Sequence, residues 1–207
     1  MLDFDWHLST PRLYLSYANP SNAAHCDFFA EYMYQPAAKK ELEELSRTMP
    51  RREAAAKLHI EPRLARMETT GYGRYVVALK PGARSYEPIG CVTMQLGRFP
   101  GVPGPTVPDV GFSFLDRYQG NGYATEAAKR LMEYFREERG QKGFLGITDQ
   151  GNEGAKKVLG RLGFSDRGVR EVTGVDDGGN AAVVSLWSIG LERPLEEYGV
   201  GKVVAEA

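Results

Sequence analysis

Residues 117 to 124, Arg-Tyr-Gln-Gly-Asn-Gly-Tyr-Ala, have the types and spacing best able to do chemistry in this chain. Before them, Val110 to Leu115 is apolar and short enough to be a buried strand. After them, Ala124, Ala127, Ala128, Leu131 and Phe135 recur at helical spacing, with Glu126, Lys129, Arg130, Glu133 and Arg136 on the other faces. A strand, a turn with two glycines and a helix start make an anion site. Successive N–H groups point outward, the helix dipole adds positive charge, and Gly120 and Gly122 let a phosphate approach the main chain. The stretch reads as a pyrophosphate cradle. It is not a P-loop, because Tyr123 and Ala124 stand where lysine and serine or threonine are needed. It half meets the dinucleotide fingerprint, since Thr125 replaces the third small residue.

The elements that must position this turn can be read on either side. Arg12 to Tyr17 alternates as a strand, and Ser21 is placed to cap a helix running to about Tyr34. Pro36 to Thr48 reads as a second helix, and Arg51 to Glu68 as a third, broken near Pro62. Arg74 to Lys80 and Ile89 to Leu96 are strands joined by a Pro-Gly turn. Residues 97 to 108, rich in glycine and proline, form a stiff loop. Phe144 to Thr148 is a further strand. Asn152 is a good N-cap for the next helix, with Ala155, Val158, Leu159 and Leu162 on its apolar stripe and Gly163 fit for a left-handed C-cap. Two last strands, about 168 to 174 and 182 to 191, flank a hairpin turn at Asp176 to Asn180.

The spacing Arg117-x-x-Gly120-x-Gly122 between that strand and that helix resembles the acyl-coenzyme A loop of the GNAT N-acetyltransferases. The segment from Asn152 to Phe164 resembles the family's next helix. Thr10-Pro-Arg-Leu-Tyr-Leu15 is similar to the opening strand of the branch that acetylates ribosomal-protein N-termini and small amines. The resemblance spans about residues 10 to 192, with a short tail at 193 to 207, and implies one GNAT domain. Its fold would be α/β: a mixed, mostly antiparallel sheet with helices on both faces. Acetyl-CoA would be the co-substrate, with no metal. Acetyl would pass directly to a primary amine of a small molecule or peptide N-terminus.

The same resemblance assigns roles. Main-chain groups of Ser113, Phe114 and Leu115 would bind the pantetheine arm and thioester carbonyl. The loop Arg117, Tyr118, Gln119, Gly120, Asn121, Gly122, Tyr123, Ala124 would hold the pyrophosphate, through the amides from Tyr118 onward. Asn152 would reach the pantetheine, and Lys156 or Lys157 the coenzyme phosphates. The sequence departs from the family in proton handling. Leu159 stands where many relatives carry a tyrosine acid, and Ala155 where branch members often have serine. A thiol of pKa near 8.5 leaves as thiolate at pH 7 for only about 2 kcal/mol. Neutralising a lysine-like ammonium costs about 4.6 kcal/mol, and an α-ammonium about 1.4 kcal/mol. A base therefore matters more than an acid, and Asp109, just before Val110, is the candidate. It could instead cap the strand or orient a cationic substrate.

Composition narrows the alternatives. A chain of 207 residues with net charge −1 has room for one core and no global basic field to recruit nucleic acid. Cys26 and Cys91 read as reduced core thiols, and neither a secretory signal nor a membrane-length apolar run is present, so a cytoplasmic enzyme is expected. His7, His25 and His59 are too scattered for a metal motif. Arg47, Arg51, Arg52, Arg63 and Arg66 form a basic streak that could select an acidic acceptor or pair with nearby glutamates. A non-catalytic acyl-CoA sensor on the same fold is the alternative function, and a nicotinamide or flavin oxidoreductase a third. The acceptor pocket would come from the N-terminal helices, the 97–108 loop and the 174–181 hairpin. Acceptor identity and oligomeric state, a homodimer included, stay open.

Overall fold

Alternating apolar residues build the strands, and the glycine and proline punctuation ends them. The computed structural model describes residues 1–32, 36–80, 86–99, 101–176 and 179–204, with the side chains of 36–38 also excluded. The strands are β1 (His7–Ser9), β2 (Leu13–Tyr17), β3 (Gly73–Leu79), β4 (Glu87–Gln95), β5 (Asp109–Phe114), β6 (Phe144–Thr148), β7 (Ser165–Thr173) and β8 (Ala181–Ile189). The helices are α1 (Ala23–Tyr32), α2 (Pro36–Leu45), α3 (Arg51–Ala55), α4 (Glu61–Thr70), α5 (Tyr123–Arg139) and α6 (Glu153–Arg161). One eight-stranded, mostly antiparallel sheet has the order β1-β2-β3-β4-β5-β6-β8-β7, with β5 and β6 parallel. The expected mixed, mostly antiparallel α/β sheet is present. The chain divides into two compact units, residues 1–92 with 112–127 and residues 93–111 with 128–207.

In the first unit, β1 and β2 form an antiparallel hairpin, with Leu8 opposite Leu15, and Leu15 in turn lies opposite Val77 of β3. Phe29, Leu42, Ile60, Val76, Cys91 and Leu115 share its buried apolar cluster. Helix α1 starts one residue later than Ser21 would give. Asn22 caps it, its Oδ1 accepting the N–H groups of Ala24 at 2.9 Å and His25 at 3.3 Å. The expected break at Pro62 takes another form. Pro62 has no N–H to give the carbonyl of Leu58, four residues back. The chain answers with a π-helical turn at Ala56–Ile60, and α4 begins with Pro62 in its first turn. Arg63 supplies the missing donor, its Nη1 lying 3.4 Å from the Leu58 carbonyl and 3.2 Å from that of His59.

In the second unit, β8 pairs antiparallel with β6 and with β7. Val107, Leu145, Val172, Leu186 and Val200 are buried together in its core. Strand β7 begins at Ser165, earlier than expected, because a bulge between Asp166 and Val169 absorbs Gly168 at φ +76°. The hairpin is closed by Asp176, whose Oδ1 accepts the Asn180 N–H at 2.5 Å, while 177 and 178 lie outside the described residues. The Pro81-Gly82 turn lies outside them too.

Candidate active site

The glycine turn is built as its sequence demands. Asp116–Tyr118 form a short 3-10 turn, and Gly120 and Gly122 then take φ of +78° and +77°. Nothing lies within 4 Å of where a Gly120 Cβ would sit. The first bond of α5 runs from the Glu126 N–H to the Gly122 carbonyl at 3.1 Å, so the amides of Tyr123, Ala124 and Thr125 belong to the unpaired first turn. Thr125 Oγ1 is buried without a hydrogen-bond partner. Open space, left-handed glycines and an orphaned hydroxyl fit a phosphate.

Side chains brace the turn from within the first unit. Arg12 holds Glu126, Nε to Oε2 at 2.6 Å, and donates from Nη1 to the Asn121 carbonyl at 3.0 Å. Its guanidinium lies 4.6 Å from the Tyr123 ring centre. Thr10 Oγ1 donates to Glu126 Oε1 at 2.5 Å. Burial pushes the Glu126 carboxyl up, but the bonds from Thr10 and Arg12 outweigh it and hold the group below its ordinary value. The Asn121 side chain donates to the carbonyls of Tyr118 and Gln119, at 3.2 and 3.1 Å. Arg117 instead pairs with Glu31, and the Tyr118 hydroxyl bonds Glu87.

The backbone also narrows the expected ligand set. The N–H groups of Tyr118 and Gln119 are spent on the carbonyls of Leu115 and Asp116, at 2.8 and 3.1 Å. Leu115 gives its own N–H to Ile89 at 3.0 Å, and Phe114 O accepts from the Gln119 side chain at 3.2 Å. The N–H groups of Tyr118 and Gln119 are thus engaged within the 3-10 turn, ahead of Gly120. Arg12 and Thr125 are the site residues that sequence reasoning missed. Thr10-Pro-Arg12 was visible as a strand start, but its long-range pairing with Glu126 was not.

In the second unit, Asp109 opens β5 opposite Leu145 of β6 and is buried. Its Oδ2 accepts from Arg98 Nη2 at 2.6 Å, and Arg98 Nη1 donates to the Val175 carbonyl at 2.9 Å. The 97–108 loop and the hairpin thus meet and line a small cleft with Asp109. The guanidinium thus occupies one carboxylate oxygen of Asp109. Asn152 is the N-cap of α6, its Oδ1 accepting the Ala155 N–H at 3.0 Å. Lys156 pairs with Glu153 at 2.8 Å. Leu159 is buried against Gly146, where an added Cβ would lie 2.5 Å from Leu159 Cδ2. No proton donor stands at the position of the family's tyrosine.

Both ring nitrogens of His25 are engaged within the first unit. Its Nδ1 accepts the Asn19 N–H at 3.0 Å, which leaves the proton on Nε2, 2.7 Å from the Tyr86 hydroxyl. Burial lowers its pKa to about 4. With Trp6, Tyr14, Ser16 and Tyr86 it lines a cavity of about 580 Å³ that includes none of residues 113 to 125.

A family model described as an acetyltransferase (GNAT) domain matches residues 12–165. The chain belongs to the GNAT acetyltransferase family, whose donor is acetyl-CoA. Two solved structures share the fold. One is a ribosomal L7/L12 alpha-N-protein acetyltransferase in complex with coenzyme A, at TM-score 0.62 and 14% identity, covering 90% of this chain and 98% of that one. The other is a ribosomal-protein-S5-alanine acetyltransferase from Vibrio fischeri, at 0.59 and 17%, covering 94% and 99%. The protein YkkB of Bacillus subtilis (strain 168) is 36% identical over 59 residues, 28% of this chain and 34% of that protein, so the match spans about a third of that relative.

Proposed function

We propose that this chain transfers acetyl from acetyl-CoA to a primary amine of a small molecule or a peptide N-terminus. The observation that carries the reading is the turn at Gly120 and Gly122, with an unpaired helix start and the orphaned Thr125 hydroxyl behind it. The neutral amine attacks the thioester carbonyl carbon, the C–S bond breaks, and the sulfur leaves as thiolate, to be protonated by water. The attacking nitrogen gives up its proton. Positioning supplies several kcal/mol of the acceleration. The pyrophosphate lies on the amides of Gly120 to Ala124. Asn152 and Lys156 keep their expected roles at pantetheine and phosphate, each in addition to the bond it makes within α6.

Asp109 is proposed to act on the amine, and pH separates its two roles. A base is needed most where the amine is protonated, so Asp109→Asn loses activity mainly at low pH if Asp109 takes the proton. Equal loss at every pH assigns it to orientation, the role its pairing with Arg98 favours. The buried Leu159 and ion-paired Asp109 favour one second reading, a non-catalytic acyl-CoA sensor. Free-thiol release from acetyl-CoA across amines, amino acids, polyamines and N-terminal peptides tests the proposal. Turnover of at least one amine supports the enzyme. Protection from heat by acetyl-CoA with no turnover supports the sensor.

A further inference from the structure

Proline at 62 forces a π turn, and the π turn presents a cluster of cations. Of the basic streak read in the sequence, Arg52 is neutralised by Asp27 at 2.6 Å and Arg51 donates to the Ala30 carbonyl at 3.3 Å. The nearby glutamates pair with lysines instead, Glu44 with Lys40 and Glu53 with Lys57. Arg63 differs. It is held by the two π-turn carbonyls, and among the described residues neither it nor Arg74 of β3 forms an ion pair with a carboxylate.

Arg63, Arg74 and His59 line one cleft beneath α4 with Phe29, Ile60 and Met67. Desolvation in the cleft and then the Arg74 charge lower the Arg63 pKa, although the residue keeps an exposed side to solvent. Two guanidiniums lining one cleft without an acid repel each other, an arrangement that an oxyanion relieves. His59 Nε2 is buried without a hydrogen-bond partner, and burial, Arg63 and Arg74 lower that ring to about pKa 4. The cleft is about 10 Å³, room for one oxygen-sized group. Arg74 also lies 5.7 Å from the Tyr32 ring centre, and Tyr32 hydrogen-bonds Ser113 of β5. One aromatic side chain therefore links the cations to the strand expected to hold the thioester.

We infer that Arg63, Arg74 and His59 receive one oxygen of an oxyanion, carboxylate or phosphate, carried by the acceptor amine. The inference rests on the acetyl-transfer reading for its substrate, and makes that substrate a primary amine with a negative charge elsewhere on the molecule.

The test uses paired acceptors with acetyl-CoA: glycine against glycinamide, γ-aminobutyrate against its amide, and phosphoethanolamine against ethanolamine. The anionic member is preferred by about tenfold or more in kcat/KM. Arg63→Gln and Arg74→Gln each remove most of that preference through the acceptor KM, leave the KM for acetyl-CoA unchanged, and Arg63→Lys restores part of it. Folded variants with the preference intact, or with a raised KM for acetyl-CoA, overturn the inference. A second arm needs no turnover. Acetate and inorganic phosphate are titrated separately into the intact chain while the His59 ring signals are followed by NMR. Those signals shift in the wild type and stay still in the double variant, and whichever ion acts at lower concentration names the group. A silent His59 ring with both ions overturns the inference, whereas a responsive ring with no amine acetylated overturns only the acetyl-transfer reading.

Discussion

The turn at Gly120–Gly122 and the helical stretch Arg51–Thr70 use opposite parts of the polypeptide. In the turn the proposed recognising groups are main-chain amides, braced by side chains such as Arg12 and Glu126. In the helical stretch the main chain is distorted, by Pro62 and the π turn, so that side chains face a cleft. Backbone recognition suits a donor shared by a whole family, because any residue supplies an N–H. Side-chain recognition suits an acceptor that differs from one relative to the next.

The contrast breaks most severely at Gly122. A valine there must adopt φ near +77° with a branched Cβ, a strained conformation for an L residue. Gly122→Val is expected to lower acetyl-CoA affinity by about 100-fold, or about 3 kcal/mol, in a calorimetric titration. Retained affinity would mean that the amides are not the ligands.

Acid strikes helix α1, outside both regions, through His25. Its folded pKa of about 4 lies below the ordinary value of 6.5, so the unfolded chain binds the proton more readily. Stability is whole above pH 6.5 and falls as pH drops toward 4, by up to about 3 kcal/mol. Denaturant titrations from pH 7 to 4 should show that slope, and His25→Gln should reduce it to the part that His59 supplies.

Glu126 moves the turn less. Glu126→Gln should cost about 1–2 kcal/mol at pH 7 through its bonds to Thr10 and Arg12. Because the folded carboxyl is held below its ordinary value, that cost is full at neutral pH. It closes as pH falls below about 4. A gap that stays constant with pH would assign the loss to packing.

Pro62→Ala is the gentlest change. It returns an N–H to the Leu58 carbonyl and lets the π turn relax to α-helix, with a stability change under about 1 kcal/mol. Arg63 then loses its anchor, and preference for anionic over neutral acceptors falls several-fold. An unchanged ratio would detach the π turn from specificity.

These differences also explain what could be read from the chain. Periodicity and the pair Gly120 and Gly122 disclose the strand, turn and helix, because left-handed glycines and a 3.6-residue stripe are local properties. Asn152 was readable as a cap for the same reason. The 3-10 turn at Asp116–Tyr118 consumes N–H groups that spacing leaves open. Arg12 with Glu126 and Arg98 with Asp109 join residues that only folding brings together. Pro62 announced a disturbance, but whether a proline kinks, breaks or widens a helix depends on a donor such as Arg63 being at hand.

The central question is whether amides at Gly120 and Gly122 grip the donor. A ¹⁵N-labelled sample titrated with coenzyme A answers it residue by residue. The amide signals of Gly120, Asn121, Gly122 and Tyr123 should move most and saturate together, with Tyr118 and Gln119 moving far less. Saturable binding of coenzyme A that leaves Gly120 and Gly122 in place would contradict this account.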